Sequence, residues 1–198
     1  MSARKRPPLG EWRAIVLHRP HPAADALVKQ LERLRIETRV VWPEVSAADA
    51  EAADVVFFDA DMGYDGQFPW PTGFAPMPLI ALIGSEAPGR VEWALAQGSN
   101  AHLLKPIGSA GVYSALLIAS HAFEMAIAQS SEIQGLESRL RMRPTVVRAV
   151  VCLMESEKLD EAAAQKRLRT LAMDWRVTIE EAASTIVARS GSGTAKEA

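Results

Sequence analysis

Arg139, Arg141, Arg143 and Arg148 lie between Glu137 and Glu155 with no acid among them. A local excess of guanidinium neutralises phosphates, which nucleic-acid binding needs whatever supplies its specificity. Lys166, Arg167, Arg169 and Arg176 form a second basic cluster downstream. Guanidinium also bridges phosphates and stacks on the unpaired bases of RNA loops, so this chemistry suits RNA. For any one of these residues a solvated helix face is the ordinary role, and only the grouping carries the reading.

A second group is acidic. Asp59 and Asp61 end the apolar run DVVFFDADM, and Lys105 stands before Pro106 at the end of another run, AHLLKP. Two neighbouring carboxylates offer oxygens to a hard cation, but Mg²⁺ demands an octahedral oxygen set that this pair does not complete. His18, His21, His102 and His121 have no metal-ligand spacing, and neither a Ser-His-Asp arrangement nor a Gly-rich phosphate loop is present. The sequence therefore points away from an enzyme, and no metal or cofactor is expected. Cys152, the single cysteine, sits in an apolar run and reads as a core residue; no disulfide framework can form.

The chain of 198 residues is 48% apolar and 23% charged with a net charge of −2, the composition of an ordinary globular protein. That net charge does not announce a nucleic-acid partner, so any basic surface must be local. No run of about 18 uncharged apolar residues is long enough to span a bilayer. The N-terminus is charged without an apolar region behind it, so a cytoplasmic location and no membrane partner are expected.

The elements that must position these groups follow from periodicity. Trp12–Pro20, ETRVVWP from Glu37, DVVFFDADM from Asp54, PLIALIG from Pro78 and AHLLKPIG from Ala101 read as strands, several apolar throughout as buried parallel strands are. Between them, Ala23–Leu34, Ala47–Ala53 and Arg90–Gln97 carry helical patterns, while Gly63–Pro76 is rich in Gly, Pro and aromatics and reads as a loop or distorted helix. This alternation predicts an α/β fold, a doubly wound parallel five-stranded sheet with helices on both faces.

From Ser109 to Met142 the absence of Pro predicts one long helix. Val112, Leu116, Ala119, Phe123, Ala126, Ser130 and Ile133 follow a coiled-coil spacing that shifts to Leu136 and Leu140. Pro144 marks a helix start or kink. Beyond it Val146, Val147, Val150, Val151 and Met154 share one helical face. Asp160 before Glu161 suits an N-cap for a helix to about Asp174, and Thr178 with Glu181 forms a capping box for a last helix through Ala188.

The stretch from Arg143 to Val187 resembles the ANTAR RNA-binding domain of transcription antiterminators. Val146, Ala149, Leu153 and Met154 match the first half of that family's pattern; Ala164, Leu168, Arg169, Ala172 and Met173, then Ala183, Ile186 and Val187, match the second. Val150 stands where the family has Lys, Val151 where it has Gly, and Gln165 where it has an aromatic. Residues 12–125 resemble the response-regulator receiver domain, with Asp59 at the phosphoacceptor position and Lys105–Pro106 at its Lys-Pro pair, whose peptide bond is usually cis. His18, Arg19 and Pro20 replace the acidic pair that holds Mg²⁺, and Ile83 replaces a Ser or Thr, with Ser85 two places late. Asp59 is accordingly not expected to be phosphorylated, and Arg19 is expected to pair with it.

Together these parts resemble the AmiR and NasT class of antitermination regulators. The resemblance implies a receiver-like domain over 12–125, a dimerising helix over 109–142 and a three-helix ANTAR bundle over 143–189, while the Gly- and Ser-rich composition of 190–198 reads as a disordered tail. It implies binding of leader-transcript hairpins by a homodimer, controlled by an amide-sensor-like ligand-binding protein rather than by phosphate. Because Val150 lacks the family's Lys, the residues expected to touch RNA are Arg139, Arg141, Arg143, Arg148 and Arg169. Two other readings remain open: a conventional phosphorylated regulator using Asp59 and Lys105, and a protein-interaction adaptor that has lost RNA binding.

Overall fold

The computed structural model describes residues 8–193. Five strands, β1 (Arg13–Leu17), β2 (Glu37–Val41), β3 (Val55–Asp59), β4 (Leu79–Ile83) and β5 (Ala101–Leu104), form one parallel sheet in the order β2-β1-β3-β4-β5. The helices α1 (Pro22–Arg33), α2 (Ala47–Ala52) and α3 (Pro88–Ala96) lie in the crossovers, and α4 (Val112–Glu157) follows the last strand. The doubly wound sheet anticipated from the alternating pattern is present.

Successive strand residues face opposite sides of a sheet, which divides the core in two. On one side Ala14, Val16, Val55, Phe57, Ile80 and Leu82 pack against Leu27 and Leu31 of α1 and Val112, Leu116 and Ala119 of α4. On the other, Ile15, Leu17, Val56, Phe58, Leu79 and Ala81 pack with Val45, Phe68, Met77 and Ala94. Residues 63–76 form no regular element; their aromatics do a helix's covering work, with Phe68 edge-on to Phe58 at 5.4 Å and stacked on Trp70 at 5.0 Å.

The chain divides into two compact units at Ile127 and Ala128. In the second, α4 is joined by α5 (Glu161–Trp175) and α6 (Ile179–Gly193) around Ala149, Val150, Leu153, Ala164, Leu168, Ala172, Ala182, Ala183 and Ile186. Small alanines let the three helices approach closely. Asp160 accepts a hydrogen bond from the Ala163 N–H at 2.7 Å, and Thr178 and Glu181 exchange backbone bonds at 2.9 and 3.2 Å, so both expected caps are present.

Two expectations are corrected. The long helix does not end at Met142: α4 passes through Pro144 and supplies the first helix of the second unit. A proline nitrogen withholds only one bond, here from the carbonyl of exposed Leu140, which water can satisfy. Instead α4 ends at Lys158, whose φ of 53° turns the chain so that the Leu159 N–H bonds the Met154 carbonyl at 3.2 Å. The helix α6 continues to Gly193, past the expected start of the tail at 190; residues 194–198 lie outside the described residues.

Candidate functional site

Asp59, at the end of β3, is 1% exposed. The register pairs Val16 with Phe57, so the next residue in the same phase of β1 faces Asp59, and that residue is His18. Its Nε2 lies 3.3 Å from Asp59 Oδ2. Arg19, in the opposite phase, is exposed and has no ion pair among the described residues, which corrects the expected Arg19–Asp59 pair. Strand alternation chose the histidine.

His18 Nδ1 lies 2.7 Å from the Arg19 carbonyl. A carbonyl only accepts, so Nδ1 carries the proton and the neutral ring presents an acceptor at Nε2. Lys105 Nζ is 3.1 Å from that nitrogen, 2.6 Å from Asp59 Oδ1 and 2.8 Å from Asp61 Oδ2. An ammonium has three donors, and all three are engaged. Burial lowers the His18 pKa from its ordinary value and Lys105 adds to this, while the Arg19 carbonyl and the Asp59 charge oppose it less strongly. Burial alone would raise the Asp61 pKa, but hydrogen bonds from Lys105, Ser85 and Gly84 outweigh it and hold the carboxyl below its usual value.

A receiver-type fold implies Mg²⁺ here, and the residues do not fit it. The lysine ammonium stands between the two carboxylates where a cation would sit, and the flanking residues are His18 and Arg19 rather than acids. Ile83 is buried and offers no hydroxyl; Ser85 contributes its backbone N–H instead. The Lys105–Pro106 peptide is cis. The sequence reading missed His18 as a member of this network, because only the register of β1 against β3 brings it to Asp59.

The second site lies within the helical unit. A cavity of about 1010 Å³ has Val146, Val147, Val150, Val151, Met154 and Leu168 as its apolar lining, with Arg143, Glu161, Gln165, Arg169 and Ile179 around them. The structure thus brings Arg143 and Arg169, 26 residues apart in sequence, to one groove, and the valine face read from the sequence is its wall. Val147 is 62% exposed there.

The other basic residues separate. At 100° per residue, Arg139 and Arg143 share one side of α4, while Arg141 and Arg148 share nearly the opposite side. Arg148 stands about 200° around the helix from Val150 and so does not replace a lysine lost there. All five of the RNA-candidate arginines are exposed and none is ion-paired among the described residues, whereas Arg167 is held by Glu157 at 3.1 Å. Gln165 and Ile179 belong to the groove and were not anticipated, because only the helix packing brings them to it.

Of the coiled-coil positions, Val112, Leu116 and Ala119 are buried against the sheet, while Ile133, Leu136 and Leu140 are 57%, 51% and 55% exposed. Spacings of three, four and seven continue that apolar edge to Val147. Among the described residues no helix is long and apolar enough to cross a membrane.

Comparison with known proteins gives two family matches: "AmiR, N-terminal" over residues 12–120 and "ANTAR domain" over residues 134–187. The transcriptional regulatory protein PdtaR of Mycobacterium tuberculosis is 29% identical over 110 residues, 56% of this chain and 54% of that protein. The chain therefore spans about half the length of that relative. The aliphatic amidase regulator of Pseudomonas aeruginosa is 25% identical over 182 residues, 90% of this chain and 92% of that protein. Among solved structures, the chemotaxis response regulator CheY4 of Vibrio cholerae superposes on 54% of this chain and 97% of its own at 15% identity, with a TM-score of 0.41. The fold rests on the sheet order above rather than on that superposition.

Proposed function

The chain belongs to the family of AmiR N-terminal domains and carries an ANTAR domain, and on that premise we propose that it is a transcription antitermination regulator. Its ANTAR module binds hairpins of a leader transcript, it acts as a homodimer, and a ligand-sensing partner protein controls it rather than phosphorylation of Asp59. The observation that carries the reading is the apolar groove with Arg143 and Arg169 at its edge and no ion pair to either among the described residues. Unpaired guanidinium beside an apolar slot suits single-stranded RNA, whose splayed bases bury while their phosphates are bridged. The exposed edge from Ile133 to Val147 supplies a surface for pairing two copies, and two modules together gain avidity for paired hairpins. Control by a partner is favoured by the saturated Lys105, which has no donor free for a phosphoryl oxygen.

The test is fluorescence anisotropy with the leader RNA upstream of the chain's own target operon, across a KCl series. Replacing Arg143 and Arg169 together by Ala removes two charge-assisted contacts of about 1.5 kcal/mol each, a weakening on the order of 100-fold near physiological salt. The salt slope drops by about 0.7 for each lost single-strand contact. Unchanged affinity and slope in a folded double variant would refute RNA binding at the groove and favour the adaptor reading.

A further inference from the structure

Asp61 is doing something its neighbours do not need it to do for packing. Its side chain is 25% exposed, yet its two oxygens accept from three donor groups. The Gly84 N–H lies 3.0 and 2.8 Å from Oδ1 and Oδ2, the Ser85 N–H 3.0 Å from Oδ1, and Lys105 Nζ 2.8 Å from Oδ2. Two consecutive backbone N–H groups aimed at one point, with an ammonium beside them, form a nest of the kind that binds oxyanions. A Cβ added at Gly84 would stand 2.6 Å from Asp61 Oδ2, inside the volume that the anion occupies. The nest opens toward a cavity of about 430 Å³ bordered by His21, Met62 and Pro106.

We propose that the Gly84–Ser85–Lys105 nest is a binding site for a tetrahedral oxyanion of the phosphate or sulfate class, and that Asp61 is its tethered occupant. The domain thereby carries its own anion and is held in a filled state without modification of Asp59. Charge agrees with this. Removing Asp61 takes one carboxylate out of a cavity that Arg19 also lines, and leaves the Gly84 N–H, the Ser85 N–H and one Lys105 donor unsatisfied. A group tethered by a short segment acts at an effective concentration on the order of millimolar, so a free anion of similar intrinsic affinity competes poorly with it. The assignment stands on the first unit alone and is independent of RNA binding.

The full-length chain is titrated with sodium phosphate, and separately with sulfate, against chloride at matched ionic strength, reading thermal unfolding. The wild type is expected to show no response beyond chloride. Asp61→Ala is expected to gain a saturable stabilisation by both oxyanions, with an apparent Kd at least about tenfold below any wild-type response, the equivalent of one charge-assisted hydrogen bond. In Asp61→Ala/Gly84→Ala the added Cβ fills the nest, and the gain is lost. Equal responses in wild type and Asp61→Ala, no response in either, or a gain that survives Gly84→Ala would each overturn the proposal. Should Asp61→Ala fail to fold, hydrogen exchange of the wild type decides. The Gly84 and Ser85 amides, in an exposed segment, are expected to exchange at least about tenfold slower than free amides; exchange at the free rate overturns the assignment.

Discussion

Replacing His18 by Gln should flatten the dependence of the first unit's stability on pH as it falls below 6.5. Folded His18 has its pKa lowered from 6.5, with burial the leading cause and Lys105 in support, and the Arg19 carbonyl fixes the proton on Nδ1 so that Nε2 must accept from Lys105. Other charged and titratable groups around it are Asp59 and Asp61 from the end of β3 and the loop beyond, and His21 stacked on it at 5.3 Å. As pH falls through 6.5 the unfolded chain takes up this proton before the folded chain does. Stability from the neutral ring is therefore complete above 6.5 and declines as pH falls toward the lowered folded value. One proton gives a slope of at most about 1.4 kcal/mol per pH unit. Asp61 contributes with the same sign, but its window lies below the ordinary carboxylate value of 3.8 and does not overlap. Glutamine keeps an acceptor near the position of Nε2 and does not titrate. The assay is urea unfolding by tryptophan fluorescence in a Trp175→Phe background, in which the four remaining tryptophans all lie in the first unit. A wild-type slope that persists unchanged in His18→Gln would refute the tautomer argument and the role of His18 in the network.

Two further outcomes follow from packing. Leu136→Glu with Leu140→Glu should convert the proposed dimer to a monomer in sedimentation velocity: four apolar side chains per dimer at about 1.5 kcal/mol each amount to about 6 kcal/mol, some 10⁴-fold in Kd, and an unchanged sedimentation coefficient would refute pairing through this edge. Leu168→Ala, at a site 2% exposed in the core of the helical unit, should lower that unit's stability by about 2–5 kcal/mol, seen as an earlier transition of Trp175 fluorescence, while the other tryptophans keep theirs.

The strands were legible because burial on both faces demands runs such as VVFFD and LIALI that admit no other reading at that length. The caps at Asp160 and Thr178 were legible because each rests on atoms three residues apart. What escaped were features that depend on long-range phase. Whether His18 or Arg19 meets Asp59 turns on the register between β1 and β3, which no local pattern carries. The end of α4 also escaped, because Lys158 adopts a left-handed conformation without the glycine that usually announces one, and because Pro144 was read as a boundary although an exposed helix turn tolerates it.

The two halves of the arginine argument fared differently for the same reason. Counting charge along the chain grouped Arg139, Arg141, Arg143 and Arg148, but a helix distributes consecutive residues around its axis, so a run of basic residues is never one surface. What makes a surface is the meeting of α4 with α5, and that meeting selects Arg143 and Arg169. Val150 then takes on a different meaning. At 8% exposed it is part of the groove's apolar wall and of the core behind it, so a lysine placed there would have to extend its charge across the groove to reach solvent. On the proposed RNA-binding role, a valine at that position deepens the apolar slot between the two arginines and would trade one phosphate contact for a larger surface on which an unpaired base can pack.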